Sequence, residues 1–290
     1  MTTLKLISPV DGSVYLERAA ASLEEAQGAI AAARAVQKAW ARRPIAERVA
    51  IVQDFVAKLL AMKDEMVPEI AWQMGRPVRY GGEFGGVRER ADYMASIAES
   101  ALASIKIEDS PEFRRFIARE PLGLVMVIAP WNYPYLTAIN TIAPALMAGN
   151  AVLLKHATQT LRVGERFQMA ADASELPRGL FSNLALDHTV TEKILSAGAV
   201  DFLNFTGSVG GGKAMEHACA GSFTGLGLEL GGKDPGYVCE DADVNRAVET
   251  LMDGAMYNSG QCCCGIERIY VAEPLYDQFV AGAAAFAESY

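Results

Sequence analysis

Residues 112–130, "EFRRFIAREPLGLVMVIAP", decide how this chain must be folded. The first part, "RRFIARE", mixes basic and apolar residues as a half-exposed strand does. The second, "LGLVMVIAP", is the unbroken apolar run of a strand covered on both faces. Such a strand belongs to a sheet layered between helices, and the downstream residues keep that rhythm. Strand-like "NAVLLKH" (150–156), "GLFSNLAL" (179–186) and "AVDFLNFTG" (199–207) alternate with helical stretches of roughly 10 to 15 residues, the pattern of βαβ units on an open parallel sheet. The fold class is therefore α/β.

Upstream of that stretch the chain reads as mostly helix. Ser22-Leu-Glu-Glu25 has the form of a capping box, predicting a helix from there to about Trp40, and amphipathic spacing predicts more helix over 44–74 and 84–104. No internal repeat or low-complexity linker interrupts the chain.

Composition narrows the function. A chain of 290 residues, 51% apolar, suffices for one large or two ordinary domains with a buried core. Lys and Arg (26) against Asp and Glu (35) give a net charge of −9, which argues against nucleic acid or an anionic membrane as a partner. The opening "MTTLKLISPVDG" lacks the charged-then-apolar order of a secretion signal, and no apolar run reaches the roughly 18 to 20 residues of a membrane span, so a cytoplasmic address is expected. Of the 5 cysteines, Cys262, Cys263 and Cys264 are adjacent, while Cys219 and Cys239 stand apart. An odd number with three in a row argues against a disulfide scaffold. Structural zinc sites use spaced pairs, and His156, His188 and His217 lie far from the cluster in sequence, so reduced thiols and no metal site are expected.

Open parallel sheets bind ligands beyond the carboxyl ends of their strands. Four segments there are chemically loaded: "PWNYP" (130–134), "KHAT" (155–158), "FTGSVGGGK" (205–213) and "LELGGKDP" (228–235). Gly207 to Lys213 spell the G-x-x-x-x-G-K of a phosphate-cradling P-loop, but Ala214 stands where the magnesium-binding hydroxyl belongs, which disfavours an NTPase. The segment also misses the dinucleotide spacing G-x-G-x-x-G. What it specifies is a tight glycine turn able to take phosphate at a helix N-terminus.

Taken in order with "GQCC" (260–263), these motifs resemble the aldehyde dehydrogenase superfamily, from about residue 5 to the end. The resemblance implies NAD(P)-dependent oxidation of an aldehyde to a carboxylic acid. It implies a Rossmann-like cofactor domain over 1–231 with N-terminal helices, a β-hairpin oligomerisation arm near 103–121, and an incomplete catalytic domain over 232–290. By position, Cys263 is the nucleophile, Asn132 the oxyanion donor and Glu229 the general base. The flanking Leu228 and Leu230 suggest an apolar setting for Glu229, and the resemblance implies that it releases the acid by hydrolysis. The cofactor falls to Lys155, Thr158, Gly207, Ser208, Gly212 and Trp131, and the substrate entrance to Tyr133, Leu136 and Thr137. Without the resemblance, Lys155 is a solvated charge and Asn132 a turn residue. His156 replaces the family's usual proline, and Thr158 stands where NAD-preferring members carry a ribose-binding glutamate, so NAD and NADP both stay open. Family members continue well past the nucleophile, so the sequence is expected to be a piece of a longer, homo-oligomeric protein, a dimer or tetramer. An inactive fragment that only binds nucleotide or oligomerises is the alternative.

Overall fold

The computed structural model describes residues 2–289. The chain divides into two compact units, Met1–Glu229 and Leu230–Tyr290.

The first unit opens with an antiparallel hairpin, β1 (Thr3–Ile7) and β2 (Val14–Ala19). Alternate residues Leu4 and Leu6 are buried on β1, and Leu4 clusters with Ala20 and Leu161. The mostly helical reading of the N-terminal region does not anticipate this hairpin, because strands of five and six residues give little periodic signal. Helix α1 (Leu23–Ala41) follows, with the expected capping box: the Glu25 N–H donates to Ser22 Oγ at 3.2 Å and the Ser22 N–H to Glu25 Oε2 at 2.7 Å. The expected helix over 44–74 is two, α2 (Ile45–Leu60) and α3 (Lys63–Met74). Helix α3 ends at Gly75 with φ +80°, a left-handed cap that glycine adopts without strain. Helix α4 (Phe84–Leu102) leads to a second antiparallel hairpin, β3 (Ile105–Asp109) and β4 (Arg114–Ile117). Every residue of β3 and β4 is exposed, so the half-exposed strand expected of "RRFIARE" is corrected to a fully exposed hairpin strand.

The sheet proper contains β5 (Leu124–Ala129), β6 (Ala151–His156), β7 (Phe181–Asn183), β8 (Phe202–Gly207) and β9 (Gly225–Leu230) in the order β7-β6-β5-β8-β9. Pairings β5–β6, β5–β8 and β6–β7 are parallel. All six residues of β5 are buried, as are all six of β6, and each large apolar side chain among them contributes about 2 kcal/mol. Helices α5 (Pro134–Met147), α6 (Leu161–Asp172), α7 (His188–Ser196) and α8 (Val209–Cys219) connect the strands. Helices α5 and α6 pack on β5, β6 and β7, with α2 and α4 beyond α5. Trp40, 1% exposed, joins α1 to α5 by donating its indole N–H to Leu146 O at 2.8 Å. The strand expected over 179–186 shrinks to three residues at the sheet edge.

The second unit is a small βαβ element: β10 (Asp234–Val238) and β11 (Ile266–Val271) pair in parallel, joined through α9 (Val244–Met256). Its core, Val238, Val244, Val248, Met252 and Phe279, is completed by α10 (Tyr276–Ser289).

Candidate active site

The strand order reverses at β5: the chain steps from β5 to β6 to β7, then returns to place β8 on the other side of β5. Such switch points leave a crevice at the carboxyl ends of the two diverging strands. Trp131 and Asn132 follow β5, Lys155 and Thr158 lie at and after the end of β6, and Gly207 and Ser208 close β8. Three separate sequence motifs thus share one edge of the sheet.

The loop after β5 is held from two directions. Pro134 occupies the first turn of α5, where its missing N–H is no loss, and the N-cap residue Tyr133 contributes no side-chain cap. Glu83, from just before α4, supplies the cap instead: it accepts from Tyr135 N–H at 3.2 Å and Leu136 N–H at 2.8 Å. Arg76 pairs with Glu83 at 3.4 Å, donates to Asn132 O at 2.7 Å, and lies 5.0 Å from the centre of the Tyr133 ring. Both partners are buried, with side chains 5% and 3% exposed. Burial raises the Glu83 pKa against the opposing pull of Arg76 and the two N–H groups. Sequence reading missed this pair, since nothing local marks two residues whose acceptor and donors lie more than fifty positions downstream.

Asn132 and Tyr133 are half-buried and Trp131 is 41% exposed. Thr137 Oγ1 donates back to Tyr133 O at 2.6 Å, and Leu136 lies against the Gly86 backbone of α4.

At the end of β6, Lys155 is 5% exposed, not the solvated charge that a strand-end lysine suggests. Burial lowers its pKa, with Asp187 acting the other way. His156 is 3% exposed and closes the gap between β6 and the β5 loop: its Nε2 lies 3.1 Å from Pro134 O, while Nδ1 faces Thr160 Oγ1 at 2.9 Å and the Ala157 N–H at 3.1 Å. The departure from the family's proline therefore has a structural role. Thr158 begins a single 3-10 turn, Thr158–Thr160, and is half-buried.

After β8, Ser208 is the N-cap of α8, its Oγ accepting from Gly211 N–H at 3.1 Å. A β-carbon on Gly207 would sit 2.7 Å from the tip of the Phe205 ring, so a larger residue there requires that ring to shift. A β-carbon on Gly210 would meet open space, and the first turn of α8 carries no acidic residue. These are the features an anionic diphosphate requires. Gly212 is buried on the packed side of α8, under that turn.

Glu229, near the end of β9, is exposed. The expected apolar enclosure by Leu228 and Leu230 is corrected: successive strand residues point to opposite faces, so neighbours in sequence do not cover it.

In the second unit, Cys263 is exposed on the turn between α9 and β11, between half-buried Cys262 and exposed Cys264. Cys262 Sγ lies 3.4 Å from Cys264 Sγ, and that contact, with the Cys262 charge, pushes the Cys264 thiol up to about 11. The chain approaches through Asn258 and Ser259, both at positive φ (+56° and +58°), and Gly260 at +72°.

A doubly wound α/β sheet, with a glycine-rich strand-to-helix turn at its switch point, defines the fold class of the protein. The chain belongs to the aldehyde dehydrogenase family, whose model matches residues 1–290. It is 32% identical over 280 residues to a 3,6-anhydro-alpha-L-galactose dehydrogenase of Streptomyces coelicolor, covering 96% of this chain and 57% of that protein. The crystal structure of an aldehyde dehydrogenase from Brucella melitensis biovar abortus superposes with a TM-score of 0.93 at 28% identity, over 99% of this chain and 60% of that one. An NADP-dependent glyceraldehyde-3-phosphate dehydrogenase from Bacillus halodurans, solved with NADP, gives 0.89 at 30% identity, over 99% and 62%. The chain thus spans about three-fifths of the length of these relatives. No helix among the described residues is long and apolar enough to cross a membrane.

Proposed function

We propose that this chain is the cofactor-binding and nucleophile-bearing part of an NAD(P)-dependent aldehyde dehydrogenase that releases its product by hydrolysis. The observation that carries the reading is the assembly of three family motifs on one strand edge at the sheet's switch point. The glycine turn at Gly207 and the uncluttered N-terminus of α8 fit a dinucleotide diphosphate, with Lys155 and Thr158 at the ribose and Trp131 beside them. When bound, the dinucleotide supplies a hydride acceptor. Every other step belongs to protein groups.

Cys263, as thiolate, attacks the aldehyde carbon and forms a thiohemiacetal. The Asn132 side-chain amide and the Cys263 backbone N–H donate to the resulting oxyanion, and loss of hydride from carbon leaves a thioester. Glu229 takes a proton from the water that hydrolyses it, freeing the acid and regenerating the thiol. The fixed loop around Asn132, pinned by Arg76 and Glu83, supports the oxyanion role, because a donor helps most when its position is set beforehand. Tyr133, Leu136 and Thr137 line the aldehyde's approach. The exposed hairpin β3–β4 serves as an arm between copies in a homo-oligomer, and the protein works in the cytoplasm.

The test is a comparison of cysteines in a chain of the relatives' length. Cys263→Ala abolishes aldehyde-dependent reduction of NAD(P)+ while dinucleotide quenching of Trp131 fluorescence survives. Cys262→Ala and Cys264→Ala retain substantial turnover. Selective labelling of Cys262 or Cys264 by a limiting alkylator, with turnover lost on mutation of that residue, overturns the assignment.

A further inference from the structure

The turn that carries Cys263 gathers three thiols that adjacency alone would scatter. The Gly265 N–H donates to Cys262 O at 3.2 Å, closing a four-residue turn with Cys263 and Cys264 at its centre. The Gly232 N–H donates to Cys263 O at 3.1 Å and ties the turn to the chain before β10. All three Sγ atoms lie within 4.8 Å of one another, and the Cys262–Cys264 pair is at 3.4 Å. Three thiolates on one tetrahedral ion at a metal–sulfur distance near 2.3 Å stand about 3.8 Å apart, so small side-chain rotations suffice to bring the sulfurs into place. Cys263 and Cys264 are exposed, which gives an ion a route in and leaves its fourth position to water.

We propose that Cys262, Cys263 and Cys264 form a trithiolate site for a soft divalent cation of the zinc and cadmium type, and that an ion there occupies the sulfur of Cys263. The spacing rule that argued against zinc concerns ligands brought together along regular elements. Here the turn does what spacing would otherwise do. Binding breaks three S–H bonds, forms three metal–sulfur bonds and releases three protons to solvent, with no change of oxidation state. Hard cations such as Mg2+ prefer oxygen ligands and are rejected. The proposal does not rest on Cys263 being a nucleophile. An ion on these sulfurs would be seen whether or not the chain oxidises aldehydes, and if Cys263 has that role, the ion silences it.

The experiment uses the whole 290-residue chain, reduced and under anaerobic conditions, titrated with Cd2+ while the ultraviolet thiolate-to-cadmium charge-transfer band is recorded. One ion per chain is expected, with close to three protons released per ion at pH values well below the ordinary thiol pKa of about 8.5. The alkylation rate of Cys263, followed by mass spectrometry, should fall at least tenfold on saturation. Cys262→Ser and Cys264→Ser should each weaken binding by roughly tenfold or more and remove about a third of the band, since each deletes one of three sulfur ligands. Cys239→Ser and an excess of Mg2+ should change nothing. A band that persists in the Cys262→Ser/Cys264→Ser variant, one ion shared by two chains, or an unchanged alkylation rate at saturation would each overturn the site. If either serine variant fails to fold, stoichiometry, proton release and protection in the unmodified chain decide the matter.

Discussion

His156 makes the stability of the first unit depend on acid in a way that can be calculated. Only an N–H can face the Pro134 carbonyl oxygen, 3.1 Å from Nε2, so the proton of the neutral ring sits there. Nδ1 is then an acceptor for Thr160 Oγ1 and the Ala157 N–H. A second proton would aim N–H at N–H and place a charge beside Lys155 in a site only 3% exposed. Burial, with Lys155 adding to it, lowers the ring's pKa from 6.5 to about 4. The unfolded chain takes up a proton as pH falls below 6.5, and the folded chain does not until about 4. Stability from this residue is therefore fully present above 6.5 and declines as pH falls through that window, by about 3 kcal/mol at the lower end. Glu83, with its raised pKa, changes stability in the opposite sense, so the native protein alone is not informative. The assay is urea unfolding of the native chain and of His156→Gln at a series of pH values. Gln keeps a donor for Pro134 O and cannot titrate. The difference in unfolding free energy should shrink by about 3 kcal/mol on acidification across the window. A difference that stays flat refutes the neutral, buried imidazole.

Arg76→Met strands the Glu83 carboxylate in the core and should lower unfolding free energy by about 3–5 kcal/mol, whereas Arg76→Met/Glu83→Gln should recover much of that loss. A cost below about 1 kcal/mol in the single variant would show that the pair holds nothing. In a chain of the relatives' length, Glu229→Gln should leave a burst of reduced cofactor followed by slow turnover in stopped-flow absorbance, because a base is removed and the thiol kept. Equal loss of burst and steady rate would assign Glu229 to an earlier step. Thr158→Glu adds a charge that repels a 2′-phosphate, and should raise the NAD-to-NADP ratio of kcat/KM roughly fivefold or more, the equivalent of one charge contact in water. An unchanged ratio would place cofactor choice elsewhere.

What the sequence determined by itself was whatever depends on a few neighbouring residues. The capping box at Ser22 and Glu25 appears as read, and the apolar run over 122–130 forms a strand buried over 124–129, with Leu122 exposed before it. Gly207 and Ser208 form the strand-to-helix turn that their order requires. These features rest on backbone hydrogen bonds and steric limits that close within one turn, so no distant partner can alter them. Only the tertiary structure decided the rest of the site. Glu83 caps a helix 52 residues away, and the charged pair it makes with Arg76 has meaning only once α4 lies beside α5. The leucines beside Glu229 suggested enclosure, but a strand sends its neighbours to the other face and leaves the carboxylate exposed. A lysine at a strand end and a histidine in place of proline read as solvent-facing or as departures, yet packing buries both and gives His156 three partners. Three adjacent cysteines carried no geometry until a turn closed by Gly265 set their sulfurs together. Burial and charge depend on what lies across the core, which comes from sequence positions far removed from the residue itself.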